Sequence, residues 1–153
     1  MGRTRRDSSA GVVSLIPELS VTDVQNSLGF YVRILGFSVA YARPDEGFAC
    51  LTLGDAQLMI DQIGIGRDWQ TATLEPPLGR GVNFQITVAS VHPILENLTK
   101  HGIELFMPLE ERWYRRENLE LGNRQFLVQD PDGYLLRITE DLGQRRIQPT
   151  GER

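Results

Sequence analysis

No apolar run in the 153 residues approaches the roughly 20 that a membrane-crossing helix needs, so a spanning protein and a membrane partner are not expected. Cysteine is almost missing. Cys50 stands alone, which excludes an intramolecular disulfide and makes it read as a small core residue. Histidine is scarce as well, with His92 and His101 as the only two. There is no Gly-rich phosphate loop, no Cys pair and no Gly-x-Ser-x-Gly elbow, and Gly64-Ile-Gly66 is not followed by a helical pattern. Nucleotide chemistry therefore has no support. The N-terminus lacks the apolar stretch of a secretory signal, and Arg6 stands where a myristoylation pattern needs Ser or Thr, so a cytoplasmic, unanchored protein is expected.

Positive charge is scarce in the body of the chain. Residues 1–12 carry Arg3, Arg5 and Arg6 against Asp7, a net +2, and residues 144–153 carry Arg145, Arg146 and Arg153 against Glu152, again +2. The formal total of −4 then leaves −8 on residues 13–143. Such a body disfavours nucleic acid, which needs a basic footprint, and mildly favours cationic ligands. Residues 1–12 are read as a disordered basic tail and 143–153 as a polar tail, solvated rather than nucleic-acid arms.

A repeat organises the rest. Leu19-Ser-Val-Thr-Asp-Val24 recurs as Ile86-Thr-Val-Ala-Ser-Val91, a shift of 67 that also pairs Leu28 with Leu95. Each copy reads as an apolar strand, a helix ending at Gly36 or Gly102, and further strand-like segments, so residues 13–63 and 82–142 form two tandem βαβββ modules of an α+β domain. The first helix shows Thr22 with Gln25 three residues on, a capping-box pattern, and the second is framed by Ser90, Pro93 and Gly102. Residues 64–81 show turn-forming composition without periodicity and read as a linker, either a plain crossover or a lid. Asp130-Pro-Asp-Gly133 marks the last hairpin, and its first-half counterpart is Gly54-Asp55. Aligning Phe48 with Phe126 gives a shift of 78, with an insertion around Glu110 to Asn123.

The duplicated unit, with Ile16-Pro-Glu-Leu19, Phe30-Tyr31, Leu35-Gly36-Phe37 and Asp130-Pro-Asp-Gly-Tyr134, resembles the vicinal-oxygen-chelate superfamily of glyoxalases, bleomycin-resistance proteins and dioxygenases, and the bleomycin-resistance branch most of all. The resemblance covers roughly residues 13–142 and implies a curved mixed sheet whose concave face lines a cleft, with helices on the convex face. It also implies a homodimer whose clefts are built from both chains. Strand parity sorts the residues. Leu19 and Val21, Leu58 and Ile60, Phe84 and Ile86, and Leu136 and Ile138 pack under the helices. Glu18, Met59, Asp61, Asn83, Gln85 and Arg137 then face the cleft.

The metal-dependent members of such a family take His and Glu ligands from the first and fourth strands of each module. Those positions fall here on Ile16, Met59, Asn83 and Arg137, which a divalent cation does not accept as a set, so no metal and no other cofactor are expected. His92 and His101 read as solvated helix-end residues. Phe48 and Phe126, read as matched positions, and Trp113 in the insertion supply stacking area, with Trp69 in the linker as a weaker candidate. The expected function is metal-independent sequestration of a cationic, partly aromatic small molecule. In that reading Glu18 and Asp61 supply negative charge, Phe48, Trp113 and Phe126 stack, Asn83, Gln85 and Arg137 give hydrogen bonds, and no residue is catalytic. The alternatives are a glyoxalase-like lyase or isomerase, or a dioxygenase, working through Glu18 or Asp61, and a partner-binding module with a vestigial cleft.

Overall fold

A computed structural model describes residues 13–147. The first module runs β1 (Glu18–Val21), α1 (Val24–Leu28), which continues as a π-helical segment (Gly29–Ile34), β2 (Ser38–Arg43), a 3₁₀ turn (Pro44–Glu46), β3 (Phe48–Leu53) and β4 (Ala56–Gln62). The second runs β5 (Asn83–Thr87), α2 (His92–Lys100), β6 (Met107–Arg116), β7 (Leu119–Gln129) and β8 (Leu135–Arg146). Each module is a four-stranded mixed sheet, ordered β1-β4-β3-β2 and β5-β8-β7-β6, in which only the pairs β1–β4 and β5–β8 are parallel. The α+β duplication is therefore present, as two separate sheets.

Period-two alternation settles which face is buried. Leu19, Val21, Leu58 and Ile60 from the first sheet join Ile86, Phe126, Val128, Leu136 and Ile138 from the second in one apolar core, closed by Tyr31 and Leu35 of the first helix and Ile94 and Leu98 of α2. The intervening residues Glu18, Met59, Asp61, Asn83, Gln85 and Arg137 are exposed or half-buried on the opposite faces.

The two modules are tied together by the Asp130–Gly133 turn. One carboxylate oxygen of Asp130 accepts from the backbone N–H groups of Asp132 and Tyr134, both at 2.9 Å, and the other accepts from the Tyr31 hydroxyl at 2.7 Å. Asp132 accepts from the Thr22 hydroxyl at 2.6 Å and from its backbone N–H at 3.2 Å, while the Tyr134 hydroxyl donates to the Ser20 carbonyl at 2.9 Å. Gly133 is at φ 101°, and a Cβ there would collide with Pro77, so the linker packs against this turn.

Burial foremost, then the Asp130 carboxylate, holds the Tyr31 hydroxyl well above its ordinary pKa of 10. The folded state therefore keeps a proton that the unfolded chain releases above about pH 10. The stability contributed by the neutral Tyr31 is complete below pH 10 and is lost as pH rises beyond it. Tyr31→Phe is expected to be less stable than the wild type at pH 8 and to lose stability less steeply above pH 10, the slopes differing by about 1.4 kcal/mol per pH unit. Urea unfolding at pH 8, 10 and 11 checks this, and parallel slopes would contradict it.

Three local expectations change. The cap of the first helix is Asp23, whose carboxylate accepts from the backbone N–H groups of Gln25 (2.9 Å) and Asn26 (3.2 Å), because Thr22 is engaged by Asp132 instead. Residues 110–123, read as an insertion, form a β-ribbon in which β6 and β7 pair from Met107↔Leu127 to Arg116↔Leu119. The last strand also outruns its expected end at 142, since Leu119↔Arg146 is its final pair, and Arg145 and Arg146 belong to the sheet rather than to a tail. Residues 1–12 and 148–153, the remaining tail segments, lie outside the described residues.

Candidate functional site

The polar face of the first sheet opens into a cavity of about 480 Å³. Glu18 enters from β1, Tyr41 and Arg43 from β2, Phe48 from β3 and Met59 and Asp61 from β4, with Glu46 on the 3₁₀ turn and Gly66, Arg67 and Trp69 on the linker. Register explains the gathering. Glu18 pairs with Met59, Cys50 pairs with both Met59 and Tyr41, and Phe48 pairs with both Asp61 and Arg43, so all six cavity residues of this sheet share one face. The beginning of the linker is thus a wall of the cavity and not merely a crossover.

Aromatic surface and charge alternate around this wall. Tyr41 and Phe48 lie with ring centroids 5.9 Å apart, and the Arg43 guanidinium sits 4.0 Å above the Phe48 ring while donating to Glu46 at 2.6 Å. Arg67 lies 5.4 Å from the Trp69 ring, which is 72% exposed and so free to stack on a ligand. Partial burial foremost, then the nearby Asp68 and Glu46 carboxylates, raises the Asp61 carboxyl above the ordinary carboxylate range, against the opposing pull of Arg43. Glu18 and Asp61 make no ion pair within 4.0 Å among the described residues.

Of the residues singled out in the sequence, Glu18, Phe48 and Asp61 come together here, and Trp69 joins them. Asn83 and Gln85 do not. They line a second groove of about 320 Å³ between β5 and the β1–β4 edge, along with Leu19, Leu58 and Ile86. Arg137 lies outside both linings and donates to Gln85 at 2.6 Å. Phe126 is fully buried opposite Ile138, on the core face. Trp113 is also on that face. It lies over Gly122, where an added Cβ would stand 2.6 Å from the ring, and the Arg145 guanidinium lies 3.8 Å from the ring centroid. Its indole N–H donates to Glu111 at 3.2 Å, so its role is to clamp the ribbon.

Tyr41, Arg43, Glu46 and Arg67 were missed. Tyr41 and Arg43 are two apart on one strand, the signal that would have found them. A bulge between Val39 and Tyr41 interrupts the alternation from the strand start and blurs it. Glu46 and Arg67 come from a turn and a linker, where periodicity carries no information.

The residues do not fit a metal of the kind used by metal-dependent relatives. Ile16 has no donor atom, Met59 offers a soft thioether, and Arg137 brings a positive charge committed to Gln85. Among the described residues no group of three or more His, Cys, Asp or Glu side chains could hold a metal ion. His92 and His101 are exposed at the two ends of α2, with the His101 ring nitrogen 2.8 Å from the Asn97 carbonyl.

Comparison with known proteins agrees with this architecture. The chain is 24% identical over 136 residues to a bleomycin resistance protein of Geobacillus stearothermophilus, covering 83% of this chain and 96% of that one, and equally to one of Staphylococcus aureus. Among solved structures, TioX from Micromonospora sp. ML1 superimposes with a TM-score of 0.63 at 24% identity, over 84% of this chain and 98% of the other. A virulence protein of Salmonella typhimurium does so with a TM-score of 0.61 at 18% identity, over 82% and 93%. These two likenesses reflect the shared fold. The family model of the glyoxalase/bleomycin resistance protein/dioxygenase superfamily matches residues 13–138, nearly all of both modules, and the chain belongs to that superfamily.

Proposed function

We propose that the protein binds a cationic, partly aromatic small molecule in the cavity of its first module, without a metal and without making or breaking a bond in it. The observation that carries this is the meeting of Phe48, Tyr41 and Trp69 with Glu18 and Asp61 around one opening of about 480 Å³, a size suited to a small-molecule ligand. The aromatic faces give stacking area, and the two carboxylates, which have no ion-pair partner within 4.0 Å among the described residues, attract positive charge. The similarity to bleomycin resistance proteins supports a glycopeptide of that class as the first ligand to try. We propose a homodimer as the functional unit, because a cavity walled, among the described residues, by the first module and the linker leaves room for a second copy to complete it.

Titration of metal-stripped protein tests the proposal. Bleomycin is expected to raise the melting midpoint, as any ligand restricted to the folded state does, while nickel, zinc, manganese and iron leave it unchanged. Glu18→Gln should weaken bleomycin binding about tenfold in calorimetry with no change in melting, since Glu18 is exposed and has no ion pair within 4.0 Å among the described residues. Stabilisation by a stoichiometric metal would instead favour a lyase or dioxygenase. An unchanged affinity for bleomycin in Glu18→Gln would remove Glu18 from the site. Light scattering of the purified protein checks the dimer, and a monomer mass would remove the second copy from the reading.

A further inference from the structure

The charges around the first cavity are of both signs. Three carboxylates, Glu18, Glu46 and Asp61, face two guanidinium groups, Arg43 and Arg67. Arg43 is already spoken for, paired with Glu46 at 2.6 Å and stacked on Phe48 at 4.0 Å. That pair closes on itself, and its charges offer little to a ligand. What remains is Glu18 and Asp61 on the strands and Arg67 on the linker, none of which has an ion-pair partner within 4.0 Å among the described residues.

Among the described residues Arg67 also has no side-chain hydrogen bond, and its guanidinium lies 5.4 Å from the Trp69 ring. A guanidinium held beside an exposed indole presents a forked donor and a flat surface together. That combination takes a planar group carrying an oxyanion, because the fork matches two oxygens of a carboxylate or phosphate while the ring stacks. The carboxylates on the strand side offer the opposite charge.

We infer that the ligand of this cavity is a zwitterion, with a flat aromatic body, a cationic nitrogen directed to Glu18 and Asp61, and an oxyanion held by Arg67. This rests on the reading that the cavity binds a small molecule, and it adds the ligand class and a specificity residue, Arg67. A cation lacking the anionic group would satisfy the strand side and leave Arg67 with no oxyanion to hold. An anion lacking the amine would meet two unpaired carboxylates. Each incomplete ligand is discriminated against by the charge it fails to match.

Three probes share one phenylethylamine frame and add anionic groups in turn: tyramine with none, tyrosine with a carboxylate, and O-phosphotyrosine with a carboxylate and a phosphate in place of the hydroxyl, each titrated calorimetrically at pH 7.5 into the full chain, with bleomycin as a reference for the cavity. One or both zwitterions are expected to bind about tenfold more tightly than tyramine. Tyrosine ahead of O-phosphotyrosine identifies a carboxylate as the oxyanion, and the reverse order a phosphate. Arg67→Gln should erase the preference and leave tyramine within about twofold of its wild-type affinity. The exposed Arg67 permits this without a change in melting, and Arg33→Gln on the first helix should leave every probe as it was. Tyramine binding as tightly as both zwitterions, or a preference that survives Arg67→Gln, overturns the inference while bleomycin binding leaves the cavity reading intact. Silence from all three probes and from bleomycin overturns both.

Discussion

Asp130→Ala should cost about 3–5 kcal/mol of folding stability, a fall in the melting midpoint of roughly 10–15 °C for a chain of this size. The carboxylate takes three hydrogen bonds, two from its own turn and one from Tyr31, whose side chain is completely buried. Removing it strands a phenol hydroxyl in the core and frees two backbone N–H groups at once. Asp130 and Tyr31 are both buried, so an orphaned donor there finds little water. Asp130→Asn keeps the side-chain oxygen and most of the shape, and it should cost about 1–2 kcal/mol. Denaturant unfolding of the two variants gives the comparison. A loss under 1 kcal/mol for the alanine variant would mean that the turn does not hold the modules together.

The second large effect separates two phenylalanines that look alike in the sequence. Phe126→Ala is expected to destabilise by about 3–5 kcal/mol, because the ring is fully enclosed between the sheet and the helices and leaves a cavity behind. Phe48→Ala should cost only about 1–2 kcal/mol, since the vacated space opens onto the first module's cavity and can fill with water. Ligand affinity should follow the opposite order. Bleomycin binding is lost in Phe48→Ala and kept in Phe126→Leu, a core variant mild enough to stay folded. Equal stability losses for the two alanine variants, measured by urea unfolding, would contradict the assignment of the rings to opposite faces.

That assignment turns on one residue. Along β4 and β8 the repeat shift is 78, which takes Ile60 to Ile138. Along β3 and β7 it is 77, since Ala49 pairs with Ile60 just as Phe126 pairs with Ile138. Phe126 is therefore the counterpart of Ala49, and that of Phe48 is Gln125, which pairs with Thr139. The connection holding Asp130-Pro-Asp-Gly-Tyr134 has one residue more than the one at Gly54-Asp55. A slip of one residue sends every side chain of a strand to the other face. Trp113 fails for a related reason. Its segment reads as a polar insertion, yet it folds as a strand whose pairing with Gly122 turns the indole away from the cavity.

The sequence by itself determined the duplication, the two helices, the apolar stripes beneath them and the polar faces of β1, β4, β5 and β8, because periodicity and a repeated pattern are local properties that survive without coordinates. It also placed Glu18 and Asp61 correctly on one face, since both follow from counting by two from a core residue. Only the tertiary structure decided which polar face encloses a cavity, and it chose the first module's, with Asn83 and Gln85 on a separate groove. It likewise brought Glu46 and Arg67 to the site, from a turn and a linker whose paths no periodicity encodes. The physical reason is that a face is set by alternation within a strand, whereas a site is set by which faces and loops meet, and that depends on register and on chain closure across the whole fold.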